Sequence, residues 1–203
     1  MVKKAWEKHK EIRSRSSVAS RKLKETFLIV CEGTKTEPNY FDSFRVKSAT
    51  VKTIGSGRNT ISLVEDAINI RNKEKMHGTE YDQVWCVFDR DDFHSTFNDA
   101  VFLAGRNGLK VAFSNESFEL WYLLHFIYFD SNIGRAEYIK KLKKHLGSYE
   151  KNDKTVYEKI IQKQSVAIRN AQRLISSCDM KNPNKCEPCT TVVNLVGALN
   201  RFL

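Results

Sequence analysis

Phe27-Leu-Ile-Val-Cys-Glu-Gly-Thr-Lys-Thr-Glu37 and Val84-Trp-Cys-Val-Phe-Asp-Arg-Asp-Asp92 share one plan: an apolar run that stops abruptly in carboxylates. Runs of this length bounded by polar residues read as buried strands. Open α/β sheets place their ligands at the C-terminal tips of their strands. If these two strands are neighbours, their tips bring Glu32, Asp89 and Asp91 together. Crowded carboxylates repel one another unless a cation joins them. Oxygen ligands of this kind suit Mg²⁺ or Mn²⁺. Asp89 and Asp91 lie two apart on an extended segment and so share a face, whereas Asp92 points elsewhere and caps the helix that follows.

Outward from these tips, strands and helices alternate. Strands are expected at about 26–31, 50–54, 81–88 and 109–113. Helices are expected from Thr36 to about Lys47, from Asn59 or Thr60 to about Lys75, over about 95–106, and over 117–126 with Ser114 or Asn115 as cap. This alternation predicts an α/β fold with a mostly parallel four-stranded sheet flanked by helices. After residue 130 the pattern changes. Residues 135–146 and 154–177 read as Lys-rich helices, 179–188 as a loop with two prolines, and 190–203 as a last helix. The chain therefore divides into a basic arm at 1–25, an α/β core at 26–130 and a helical basic extension at 131–203.

The 203 residues carry a net charge of +10, and its distribution is more telling than its sum. The arm holds nine Lys/Arg against three Asp/Glu; residues 26–130 hold eleven against fifteen; residues 131–185 hold thirteen against five. Basic blocks flanking an acidic centre suit a protein that holds metal in its middle and a polyanion at its edges. The expected phosphate contacts are Arg13, Arg15, Arg21 and Lys22 in the arm, and Lys140, Lys141, Lys143 and Lys144 in the extension. A Lys-rich helix also has a plainer explanation, as a solvated face. No apolar run has the length of a membrane span and no signal peptide opens the chain. Five cysteines, two of them inside buried strands, fit a reduced cytoplasmic protein.

Glu37 lies at a predicted helix start, where a carboxylate is favourable with the dipole even without a chemical role. Glu119 lies among Phe118, Leu120, Trp121 and Leu123, and a carboxylate on an apolar helix must face a partner or a metal. His125 reads as a core histidine. Cys186-Glu-Pro-Cys189 has the spacing of zinc ligands, with Cys178 nearby, but a second such pair is missing. Gly55-Ser-Gly57 lacks the Lys-Ser/Thr of a phosphate-binding loop.

The order Glu32-Gly33 after the first strand and Asp89-x-Asp91 after the third resembles the Toprim domain of topoisomerases, primases and nucleases of the overcoming-lysogenization-defect class. A finer resemblance is to the RloB family. It is carried by Glu32-Gly33-x-x-Thr36-Glu37-Pro38-x-Tyr40-Phe41, Phe88-Asp89-x-Asp91, Ser114-Asn115-x-x-Phe118-Glu119-Leu120-Trp121-x-Leu123-Leu124-His125-Phe126 and Pro188-x-Thr190-Thr191-Val192. The resemblance implies a Toprim-like fold and a role in anti-phage defence by abortive infection, beside an AAA- or ABC-type ATPase partner. Residues and resemblance together lead to a Mg²⁺- or Mn²⁺-dependent nuclease. Glu32, Asp89 and Asp91 are its expected catalytic residues; Glu37 and Glu119 complete the metal shell. RNA (including tRNA) or DNA is its expected substrate. The competing reading is a non-catalytic nucleic-acid-binding subunit that works through an ATPase. Strand passage or primer synthesis ranks last, because no tyrosine-nucleophile domain accompanies the acids.

Overall fold

The computed structural model describes residues 24–47, 49–57, 60–90 and 96–203. The strands β1 (Glu25–Cys31), β2 (Ala49–Gly55), β3 (Gln83–Asp89) and β4 (Lys110–Asn115) form where the apolar runs predict them; β1 and β2 are longer by a residue or two, β3 starts two residues later and ends one later, and β4 starts one later and ends two later. Between them lie α1 (Thr36–Asp42), α2 (Thr60–Met76) and α3 (Phe97–Arg106). Then follow α4 (Glu119–Leu123), α5 (Arg135–Leu146), α6 (Val156–Ile160), α7 (Gln164–Ser176), β5 (Cys189–Thr190) and α8 (Val192–Asn200).

The sheet has five strands in the order β2-β1-β3-β4-β5, which corrects the four-stranded expectation. The first three pairings are parallel. The fifth strand is the Cys189–Thr190 dipeptide, antiparallel to the end of β4. Two residues carry no periodicity, so the sequence pattern placed them at the end of a loop and the start of a helix. Their ladder is reinforced by side chains: the Thr191 hydroxyl accepts from the Phe113 N–H at 2.9 Å, and the Thr190 hydroxyl donates to the Phe113 carbonyl at 3.2 Å. Through β5 the C-terminal extension is part of the same sheet as the core.

Alternation along the strands sorts the apolar residues into two layers. Phe27, Ile29, Cys31, Trp85 and Val87 face a cluster completed by α1 and the helices from α4 onward. Leu28, Val30, Val84, Cys86 and Phe88 face a second cluster under α2 and α3. Both faces of β1 and β3 are therefore covered, as continuous apolar strands require.

Several helix expectations change. α1 ends at Asp42 rather than near Lys47, and Thr36 is its first residue, its hydroxyl donating to the Lys151 carbonyl at 2.8 Å instead of capping. The predicted helix over 117–126 is the five-residue α4, all of whose side chains are buried. Asn115 does not cap it: its amide donates to the Cys186 carbonyl at 2.6 Å. The expected helix 154–177 is interrupted by a 3₁₀ turn over Ile161–Lys163. By contrast, α5 spans 135–146 as read, closed by Gly147 in the left-handed region at φ 76°.

Candidate carboxylate site at the strand switch

The chain leaves β1 toward β2 on one side and returns to β3 on the other. A crevice opens at such a reversal of strand order, at the C-terminal ends of the strands. Glu32 follows β1 directly and Asp89 is the last residue of β3. The Glu32 N–H donates to the Val87 carbonyl at 2.8 Å, which carries the pairing one residue beyond the strand. The Asp89 N–H in turn donates to Glu32 Oε2 at 3.0 Å. Of the three acids expected to converge, Glu32 and Asp89 are thus in contact, through the Glu32 carboxylate and the Asp89 backbone.

The Glu32 loop is braced from β2. Ser56 N–H donates to the Cys31 carbonyl at 2.8 Å and Gly57 N–H to the Glu32 carbonyl at 3.0 Å. A Cβ on Gly55 would stand 2.7 Å from Thr34 Cα and 2.8 Å from the Gly33 carbonyl oxygen, so only glycine allows this approach. The Gly55-Ser-Gly57 segment, set aside as a phosphate loop, instead holds the loop that carries Glu32.

Glu37 and Glu119 line the same cavity as this pair. Glu37 is the second residue of α1 and Glu119 the first of α4, and aromatic packing fixes these short helices against each other. Tyr40 meets Phe118 at 5.7 Å and Trp121 at 6.3 Å between ring centroids, and Phe41 meets Phe118 at 6.0 Å, all edge to face. The two sequence segments singled out for their motifs therefore form one clamp. Glu37 is 5% exposed and Glu119 is 2% exposed. Tyr149 answers the requirement for a partner, donating its hydroxyl to Glu119 Oε1 at 3.1 Å. Burial, and then the negative charge of Glu119, raise the Glu37 carboxyl above its ordinary range, while backbone N–H groups of Glu37 and Gly33 and the charge of Lys151 oppose the rise.

Glu32, Glu37, Asp89 and Glu119 line a single cavity of about 270 Å³, together with Gly33, Thr34, Lys35, Thr36, Phe118, Arg135 and Lys151. Arg135 Nη2 donates to Asp89 Oδ2 at 3.0 Å. Arg135, Tyr149 and Lys151 were not singled out from the sequence. No spacing links them to the strand tips; only folding of the extension over the cavity brings them there.

Asp91 and Asp92 lie outside the described residues, as do Arg13, Arg15, Arg21 and Lys22. The lysines of α5 do not line the cavity. Lys140, Lys143 and Lys144 are exposed, and Lys140 pairs with Glu137 at 3.4 Å. Lys141 is half-buried over the Phe129 ring, 4.9 Å from its centroid. His125 is a core residue: its ring hydrogen-bonds the Trp121 carbonyl at 2.9 Å, and burial pulls its pKa down to about 4.

A divalent cation fits this donor set in kind. Four carboxylates face one cavity, Glu37 and Glu119 repel each other, and a guanidinium already lies against Asp89. Among the described residues no three His, Cys, Asp or Glu side chains stand in metal-holding geometry. The cysteines Cys178, Cys186 and Cys189 do not form such a group either. Among the described residues no helix is long and apolar enough to cross a membrane.

A family model described as RloB-like protein matches residues 27–199, most of the chain. No curated protein and no solved structure matches it.

Proposed function

The chain belongs to the RloB-like protein family, and on that premise we propose that it is a metal-dependent nuclease of the Toprim type. The observation that carries this reading is the convergence of four carboxylates, from β1, α1, β3 and α4, on one cavity at the strand switch. A module that only binds nucleic acid has no use for acids there, because they repel phosphate.

Glu32 and Asp89 are the ligands at the strand tips, Asp91 the third in line, and Glu37 and Glu119 the support from α1 and α4. These residues would hold Mg²⁺ or Mn²⁺, which would supply an acidified water and offset charge on the scissile phosphate. The protein does the rest. Glu32 takes the proton from the attacking water as its oxygen bonds to phosphorus, and returns it to the departing oxygen as that P–O bond breaks. The Tyr149 hydroxyl fixes the rotamer of Glu119, and the Gly33 N–H restrains Glu37. Lys151, on the cavity wall, offers positive charge to the substrate backbone. Exposed Lys140, Lys143 and Lys144 extend that charge away from the cavity.

The substrate is RNA, tRNA included, or DNA, and the setting is anti-phage defence beside an ATPase partner. A mixed pool of tRNA and DNA incubated with Mg²⁺ or Mn²⁺ tests the chemistry. Wild type cleaves the pool, while Glu32→Gln and Asp89→Asn each slow cleavage by on the order of 10²-fold or more, the scale of a lost metal ligand. Equal cleavage by wild type in EDTA, or undiminished cleavage by either variant, overturns the proposal.

A further inference from the structure

Arg135 is the one guanidinium that lines the carboxylate cavity, among the described residues. Its placement runs against its own helix. It is the first residue of α5, where the helix dipole disfavours a cation. The compensating partner is Asp89, 3.0 Å away and only 7% exposed. A carboxylate that deeply buried requires a counter-charge. Arg135 therefore supplies, from within the chain, the charge that a divalent ion would bring to the same oxygen atom.

We propose that Arg135 is a resident counter-cation that yields Asp89 to the metal and then grips the scissile phosphate. The inference rests on the nuclease reading above. The side-chain chemistry suits both duties: a guanidinium presents a planar fork of donors that matches carboxylate and phosphate alike. The surroundings suit the exchange. The Arg135 side chain is 32% exposed, so it faces open cavity as well as Asp89. Gly134, just before it, has nothing within 4 Å of where a Cβ would stand, so the start of α5 is uncrowded. Lys151 lines the same cavity near Glu37 and holds charge there while Arg135 moves.

Two consequences have opposite signs, which separates this role from a structural ion pair. While Arg135 occupies Asp89 it competes with the metal, so removing it tightens metal binding. Once the metal is bound Arg135 serves the substrate, so removing it slows cleavage. The experiment is Mn²⁺ titration by calorimetry on the full chain, with Tm recorded to verify folding, beside cleavage of the mixed nucleic-acid pool. Arg135→Gln is expected to bind Mn²⁺ several-fold more tightly than wild type and to cleave on the order of 10²-fold more slowly. Arg135→Lys keeps the charge without the fork, so it is expected to keep wild-type Mn²⁺ affinity and to cleave at an intermediate rate. Mn²⁺ affinity in Arg135→Gln equal to or weaker than wild type overturns the exchange, as does unchanged cleavage. Asp89→Asn and Glu32→Gln in the same titration separate the two readings. If they bind Mn²⁺ as wild type does, the metal site itself is misplaced. If they lose Mn²⁺ while Arg135→Gln leaves affinity unchanged, only the role of Arg135 fails.

Discussion

Two corners of the molecule gather metal-ligating residue types, and they differ in what they do with charge. The carboxylate cavity is answered by cations: Arg135 on Asp89, and Lys151 near Glu37. At the far edge of the sheet, Cys178 interacts with both Cys186 and Cys189, and the neighbouring Arg90 is paired with Glu187. Burial keeps those three thiols protonated, with pKa values pushed up to about 11, 12 and 11. A divalent ion needs ligands that are already charged or readily become so. Clustering of ligand types is therefore a poor guide by itself; the counter-charges around a cluster are the better one.

The largest expected effect falls on the scaffold of the acidic corner. Gly55→Ala places a methyl 2.7 Å from Thr34 Cα and 2.8 Å from the Gly33 carbonyl, and both contacts are backbone that cannot rotate away. The cost is that of overpacking, about 1–3 kcal/mol, or a fall in Tm of about 2–4 °C for each kcal/mol. The displaced loop carries Glu32 and Glu37, so Mn²⁺ affinity should fall together with Tm. Thiol reactivity at the far corner should stay as it is. An unchanged Tm and Mn²⁺ affinity would show that the two corners are not separately scaffolded as described.

A smaller effect distinguishes the inner carboxylates through pH. The Glu37 carboxyl lies above its ordinary value of 4.5 in the folded protein, from burial first and the Glu119 charge second. The folded state thus holds this proton more tightly than the unfolded state does. The associated stability is fully present below pH 4.5 and is lost as pH rises through the folded value. Glu37→Gln imitates the protonated form and removes the dependence. In Tm measurements from pH 4.5 upward without metal, the variant should gain on wild type as pH rises, and Mn²⁺ should narrow the gap by stabilising wild type more than the variant. Parallel Tm curves for the two proteins would remove Glu37 from the electrostatics of the cavity.

How much of this was legible follows from where the signal resides. β1 and β3 are buried on both faces, so their residues are continuously apolar and their ends are sharp. The carboxylates at those ends interrupt the pattern, which is why Glu32 and Asp89 can be read directly. Glu119 is visible as an acid in apolar company and Glu37 as an acid at a helix start, yet their mutual approach depends on Tyr40, Phe118 and Trp121 packing between two helices. No linear spacing encodes that. α5 has a polar face, an inner face that buries Tyr138 and Leu142, and a glycine at each end, so its bounds were readable. α4 is buried on every side and lacks periodicity, so its length was not readable. β5 and the break at Ile161–Lys163 are tertiary in origin: one follows the edge of β4, and the other has no proline or glycine to announce it. Arg135 was counted only as part of a basic block, because its partner lies 46 residues away.

The smallest expected effect is at the thiol corner, where Cys186-x-x-Cys189 keeps the spacing of a zinc site. An ion there must displace protons from thiols held near 11 to 12. It would also compete with local structure, since the Cys186 thiol donates to the Asp179 carbonyl at 3.5 Å. The purified protein should therefore carry well under one zinc per chain by metal analysis. Cys178→Ser, at a half-buried position, should shift stability by less than about 1 kcal/mol, with or without added Zn²⁺. One zinc per chain, lost in Cys178→Ser together with several degrees of Tm, would reverse the contrast between the corners. The thiols would then be the structural metal centre, and a raised thiol pKa in the metal-free fold would be no bar to chelation.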